Sequence, residues 1–497
     1  LIELHDFQRI AADQIESSDS RRIVLVAPTA AGKTVIASEV IRRAMARYER
    51  ALVLAHRREI INQTGAKLTT NGVGHGVVMA GVEPRPLAPV QVASIDTLRA
   101  RALNGTAMQM PPADLVIIDE THHARAQTYQ KIIAAYPDAK IIGLTATPCR
   151  GDGRGLGNVF DTMIETPQIA ELITLGVLVP SRVYAPVDPD LKGVKTQTGD
   201  YVVNQLSDRM NTDALVGDIV SDWFKHGERR KTVAFACSVA HSVHIRDEFL
   251  KVGVRAEHLH ANTPTDERDA MLARLASGET EVVSNCMVLT EGWDCPPVGC
   301  LILARPTKQM GLYRQMIGRV LRTAPGKIDA IILDHSGAVF RHGLPEDPVE
   351  WTLDVDRRAA NKTHERRKAG EADKLRTCPS CDALLCGPPP CWSCGWMPAP
   401  RARSIDFAEG ELGLVIGGKV RAPEYTAGDR ERWHAMLAHI AEERGYQRGW
   451  VAHQFKQKFG TWPAWGFTPE PIPPSAEVRS WVRSRMIAFA KRRSAAA

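Results

Sequence analysis

Short apolar runs that stop at polar motifs recur along the first two thirds of the chain. IVLVA (23–27), ALVLA (51–55), VQVAS (90–94), LVIID (115–119) and IIGLT (141–145) are each rich in Val, Ile or Leu. VIASEVIRRAMARY (35–48) lies between the first two and reads as a helix. Continuous apolar strands separated by helices predict a parallel sheet covered on both faces. The alternation then repeats. TVAFA (232–236), EVVSN (281–285), GCLILA (299–304) and DAIILD (329–334) read as strands, and 238–253 and 265–278 as helices between them. Two tandem α/β lobes are expected, over 1–165 and 166–350, with the Gly-rich stretch CRGDGRGLG (149–157) as a mobile loop leading to the second. A charged linker (351–376), a Cys-rich segment (377–397) and a basic segment (398–497) follow.

The 497 residues are too many for one core, and 44% hydrophobic with 24% charged residues is ordinary for a soluble globular protein. No run of 18 apolar residues exists, so no membrane span is expected, and no leader pattern opens the chain. The cytoplasm is the expected compartment. Charge is distributed unevenly: residues 1–356 carry 39 Lys and Arg against 43 Asp and Glu, while 357–497 carry 24 against 14. Seven of the ten tryptophans share that basic third. Cations neutralise phosphates and flat rings stack on bases, so this composition suits nucleic acid. A solvated basic tail with Trp in a small core is the plainer alternative.

In parallel sheets the active groups sit at the carboxyl ends of strands, and the polar motifs fall there. APTAAGKT (27–34) has the form of a phosphate loop, whose backbone N–H groups face anionic oxygens. Thr29, Ala30, Ala31 and Gly32 would cradle the phosphates, Lys33 would reach the β- and γ-phosphates of ATP, and Thr34 would contact Mg²⁺. Ala30 stands where glycine is usual. Alanine fits there only at negative φ, and the departure points to a slower or weaker ATPase. Asp119 and Glu120 end a strand, the first placed to hold Mg²⁺ and the second to orient or deprotonate water. Adjacent acids at a strand end are otherwise helix caps.

The ordered series APTAAGKT, DETHH (119–123), LTATP (144–148), TEGWDCP (290–296) and QMIGRVLR (315–322) resembles the superfamily-2 helicases and translocases of the DExH type, over roughly residues 1–345. The resemblance implies two RecA-like lobes with ATP between them. It assigns Arg322 as an arginine finger across the cleft, with Arg319 supporting it and Gln315 as a catalytic residue at matching spacing, and Gln8 of LHDFQ to the adenine edge. His122 would bridge to Gln315 or to Thr145 and Thr147, which couple hydrolysis to lobe movement. Thr290, Gly292 and Asp294 would link strand to ATP cleft. His56, Arg57, Ser94, Thr97 and Thr290 would grip a nucleic-acid backbone. Trp293 would stack on a base or pack inside. DNA is favoured over RNA as the substrate, an RNA helicase or a junction remodeller that does not unwind being the alternatives.

Five of ten cysteines fall within 378–394, and Cys378, Cys381, Cys391 and Cys394 form two CxxC knuckles. Knuckles this close can close a tetrahedral Zn²⁺ site that replaces a core, whereas a redox CxxC needs a thioredoxin-like setting. Cys386 is the odd one out. A ribbon after a two-lobe motor is similar to the RadD-like branch of bacterial helicase-related ATPases. That branch implies DNA repair or recombination, with single-stranded-DNA-binding protein or recombinase as partners. GYQRGWVAHQFKQKFGTWP (445–463) resembles tails of phage and prophage helicases. It presents Trp450, Phe455 and Phe459 beside Arg448, Lys456 and Lys458, either as the core of a small helical domain or as a clamp for DNA or a partner protein.

Overall fold

The structure, a computed structural model, describes residues 3–494 apart from 106, 122–126, 150, 152, 186–190, 198, 357–358, 362–364, 366–375, 382, 386–389, 392–393, 398–413, 417–418, 422–424, 465 and 467. The first lobe is built on seven parallel strands: β1 (Arg22–Val26), β2 (Ala51–Ala55), β3 (His75–Val78), β4 (Val90–Ser94), β5 (Leu115–Asp119), β6 (Lys140–Thr145) and β7 (Thr162–Glu165). Their order is β3-β4-β2-β5-β6-β1-β7. The inner strands are Val- and Ile-rich because both faces are covered, by one apolar cluster with the helices Lys33–Ala46 and Arg58–Thr70 and another with Gln127–Ala134.

The first strands of the second lobe are β8 (Ser181–Tyr184) and a short hairpin of β9 (Thr196–Gln197) and β10 (Asp200–Tyr201). Four more strands follow its helices: β11 (Thr232–Ala236), β12 (Ala256–Leu259), β13 (Val282–Asn285) and β14 (Cys300–Ala304), then β15 (Ala330–Asp334) closes the set. The six-stranded sheet runs β12-β13-β11-β14-β15-β8, all parallel. Both lobes thus have the parallel-sheet architecture expected. Strands β3, β7, β8 and β12 lie at the four sheet edges, and none of them was among the expected strands.

Gly155 and Gly157, at the end of the stretch 149–157, are tied down rather than loose. Gly157 N donates to Leu353 O at 2.6 Å and Gly155 N to Asp354 O at 3.1 Å. A Cβ on Gly155 would lie 2.3 Å from the Leu353 carbonyl carbon, so glycine is required for this close approach. The chain leaving the second lobe therefore returns and lies against the first. Gln168, at the start of the second lobe, holds the same strap by exchanging hydrogen bonds with Val349 at 2.9 and 2.8 Å.

The C-terminal segment forms the helices Ala427–Arg444, Arg448–Phe459 and Ala476–Ser494. Trp433, Leu437, Phe455, Trp481 and Val482 make their core, with Phe459 and Trp450 packed against it. Lys458 is 8% exposed with its ammonium 4.4 Å from the Trp433 ring. These aromatics form the core of a small helical domain, the plainer of the two expectations. The last helix crosses helix Asp213–His226 of the second lobe so closely that a Cβ on Gly217 would sit 2.7 Å from Ser484 Cβ. Leu384, on β17 (Leu384–Leu385) of the Cys-rich segment, paired with β16 (Arg376–Thr377), is 2% exposed inside the second lobe's core.

Candidate functional site: the cleft between the lobes

Strand order decides the site. β5, β6 and β1 are neighbours, so the groups that follow their carboxyl ends converge. Ala27 N donates to Thr145 O at 2.9 Å, pinning the phosphate loop to the end of β6. Gly32 caps helix Lys33–Ala46 at φ +85°, and a Cβ there would meet Gln8 Nε2 at 2.4 Å. Gln8 is buried and donates to Ala31 O at 3.1 Å while accepting from His5 N at 3.1 Å, so its amide braces the loop from behind. Ala30 corrects the expectation of negative φ: it sits at +75°, where a side chain crowds the backbone.

Lys33 Nζ stands 3.9 Å from Glu120 Oε1, and Glu120 N donates to Asp119 Oδ1 at 2.9 Å. Burial, with the Glu120 charge beside it, pushes the Asp119 carboxyl up to about 6. A divalent cation at that carboxylate would reverse this. From the second lobe, Arg319 follows helix Met310–Gly318 and donates to Thr290 O at 3.1 and 2.5 Å and to Trp293 O at 2.6 Å. Arg322 is ion-paired with Asp294, and burial lowers it to about 10. Thr29, Ala30, Gly32, Lys33, Thr34, Asp119 and Glu120 on one side face Gly292, Asp294, Arg319 and Arg322 on the other, around a cavity of about 280 Å³. Cations from both lobes and two carboxylates surround a space with the polarity of a polyphosphate and its Mg²⁺.

Among the cavity residues that escaped the sequence reading are Gln63, Thr64 and Lys67. They share a face of helix Arg58–Thr70 with Ile60, and helical spacing from His56 and Arg57 was the signal that could have found them. Gln63 Nε2 donates across the cleft to Gly292 O at 2.7 Å. Gly318 comes so near the phosphate loop that a Cβ on it would lie 2.4 Å from Thr29 Cβ.

The expected strand-gripping residues separate. His56 Nε2 lies 3.0 Å and Arg57 Nε 3.4 Å from Glu291 Oε2 of the opposite lobe. Ser94 caps a short helix, its Oγ accepting from Thr97 N at 3.5 Å, and Thr97 is buried. Thr290 is buried with its hydroxyl donating to Met287 O at 3.0 Å. Trp293 packs in the second lobe's core, which decides between its two readings. Thr145 and Thr147 close a turn on each other, Thr147 N donating to Thr145 Oγ1 at 3.0 Å. A Cβ on Gly311 of helix Met310–Gly318 would be 3.3 Å from Thr147 Oγ1, so this turn abuts the helix that carries buried Gln315. His122 lies outside the described residues.

Residues 1–150 match the family described as "Type III restriction enzyme, res subunit", and residues 214–324 match "Helicase conserved C-terminal domain". A 51.5 kDa protein of a Lactococcus phage is 33% identical over 328 residues, covering 66% of this chain and 68% of the phage protein. The chain belongs to the superfamily-2 helicases. This helicase-type ATP hydrolase is also similar to the ATP-dependent helicase IRC3 of Saccharomyces cerevisiae, 32% identical over 362 residues. That match takes in 67% of this chain and 52% of the yeast protein, so the helicase chain spans about half the length of that relative. The solved fragment of an HsdR subunit of a type I restriction enzyme from Vibrio vulnificus shares its fold, with a TM-score of 0.55, 23% identity and coverage of 68% and 67% of the two chains. No described helix is long and apolar enough to cross a membrane.

Apart from the cleft, the Sγ atoms of Cys378, Cys381, Cys391 and Cys394 lie within 4.8 Å of one another. Cys378 and Cys394 are 3.4 Å apart and Cys381 and Cys391 3.7 Å. A tetrahedral zinc with bonds of about 2.3 Å requires sulfur edges of about 3.8 Å. The four thiols fit that ion. Cys386 lies outside the described residues.

Proposed function

We propose that the protein is an ATP-driven DNA helicase or translocase. The observation that carries the reading is the cavity reached by Lys33 from one lobe and by Arg319 and Arg322 from the other. On this reading ATP bound there supplies a transferable phosphoryl group, with Mg²⁺ held by Thr34 and Asp119. Lys33 neutralises the phosphates, Glu120 orients the attacking water, and Arg322 leaves Asp294 to face the developing charge. Gln8 serves the nucleotide by fixing the loop and meeting the adenine edge. Gln315, Thr145 and Thr147 transmit closure between the lobes. Ser94, Thr97 and Thr290 shape the strand track through their backbone turns. Zinc held by the four cysteines replaces a hydrophobic core in the ribbon.

The phage relative, the RadD-like motif set and the basic C-terminal third favour DNA as the substrate, in repair, recombination or phage replication. Single-stranded-DNA-binding protein or a recombinase suits the partner role. The test is ATP turnover with matched DNA and RNA single strands, duplexes and forks. DNA-dependent turnover that Lys33→Ala abolishes is the expected result. Stimulation by RNA alone would replace the DNA reading, and stimulation without strand separation would favour a remodelling factor.

A further inference from the structure

His56 and Arg57 hold the Glu291 carboxylate across the seam between the lobes. Glu291 projects from the segment between Thr290 and Gly292, is 7% exposed, and lies in the interface between the lobes. One of its oxygens meets both partners, His56 Nε2 at 3.0 Å and Arg57 Nε at 3.4 Å. Arg57 Nη1 also donates to Val288 O at 3.2 Å, and Arg268 pairs with Glu59 across the same seam. A carboxylate oxygen shared by an imidazole and a guanidinium presents the charge and acceptor geometry of a phosphodiester oxygen.

We propose that Glu291 is a built-in stand-in for a strand phosphate, exchanged for the phosphodiester backbone of a single strand when the protein engages it. The inference rests on the reading of His56 and Arg57 as strand contacts. Displacing Glu291 moves a segment whose neighbours are already committed. Thr290 O receives Arg319, and Gly292 O receives Gln63. Asp294, two residues further on, holds Arg322. Strand occupancy therefore reaches both cleft arginines through one peptide segment, and Glu291 acts as a positioning residue that registers whether a strand is bound.

The isosteric Glu291→Gln keeps the shape and removes the competing charge. A clamp closed about nine-tenths of the time weakens apparent binding about tenfold. E291Q is expected to bind fluorescein-labelled oligo(dT) about tenfold more tightly in an anisotropy titration, with raised ATP turnover in the absence of strand and a reduced stimulation ratio. Arg57→Gln should weaken oligo(dT) binding, and the double variant R57Q/E291Q should bind as weakly as R57Q. Thermal unfolding midpoints of the variants establish that each is folded. If R57Q weakens binding but E291Q matches or falls below the parent, the stand-in idea is wrong while the strand track survives. If R57Q binds like the parent, the strand track itself is wrong and the inference falls with it.

Discussion

Gly318 sits at a point where the two halves of the helicase approach closely, and enlarging it by one carbon tests whether that approach matters. A Cβ on Gly318 would lie 2.4 Å from Thr29 Cβ, 2.9 Å from its Oγ1 and 3.0 Å from its Cγ2. Carbon atoms in contact need about 3.5 Å or more, so the overlap with Thr29 Cβ is about 1 Å. A rotamer change cannot relieve it, because a Cβ position is fixed by the backbone. The lobes must separate instead, carrying Arg319 and Arg322 away from Lys33. A misplacement of about 1 Å in a reacting constellation costs about 100-fold in rate. Gly318→Ala should therefore lower strand-stimulated kcat for ATP by about that factor in a steady-state phosphate-release assay. The unfolding midpoint should barely move, since the core of neither lobe is touched. Parental kcat in a folded G318A protein would refute the argument that this contact sets the working geometry.

Ala30→Gly relieves a left-handed alanine worth about 1–2 kcal/mol of strain, against about 0.5–1 kcal/mol for the freer unfolded glycine chain. A net gain of about 0.5–1 kcal/mol is expected in denaturant unfolding, and a loss would show that the loop is not strained. Asp119→Asn should stabilise the metal-free protein while abolishing ATP hydrolysis. Its carboxyl is raised from 3.8 to about 6 in the fold. The favourable contribution of the protonated form is therefore complete below pH 3.8 and lost as pH rises through about 6. At pH 7.5 the gain from D119N should be on the order of 3 kcal/mol, and it should vanish below about pH 4. Equal gains at both pH values in thermal melts would contradict this. Chelation of the cysteine site should lower the unfolding midpoint of the second lobe, because Leu384 would lose its place in that lobe's core, a burial worth about 2 kcal/mol. A midpoint insensitive to chelator, followed by circular dichroism, would separate the ribbon from the lobe.

The central strands were legible because burial on both faces forces an uninterrupted apolar run, as in LVIID and TVAFA. The edge strands were not. HGVV and AEHL are each half-covered, and their polar residues mask the pattern. The phosphate loop, the Asp119–Glu120 pair and the arginines of QMIGRVLR were readable as local motifs, and the fold brings them to one cavity. What sequence could not supply was pairing across the lobes. Nothing local to TEGWD says that Glu291 will face His56 and Arg57, and nothing local to helix Arg58–Thr70 says that Lys67 will line the nucleotide space. The tail left two accounts open because Lys456 and Lys458 look equivalent in sequence, while helical phase sends Lys458 inward among the rings of Trp433 and Trp481.

The strap at Leu353 and Asp354 has a kinematic consequence. A body joined to another by a single flexible tether can tumble, twist or slide about it. Here the polypeptide passes from the first lobe to the second beyond β7 and comes back to grip Gly155 and Gly157, so two attachments lie side by side at one margin of the seam. Such a pair acts like the two leaves of a door hinge: swinging stays cheap, while twisting or sideways slip would have to tear backbone hydrogen bonds. On the proposed function, each round of nucleotide turnover would thereby be channelled into one repeatable stroke.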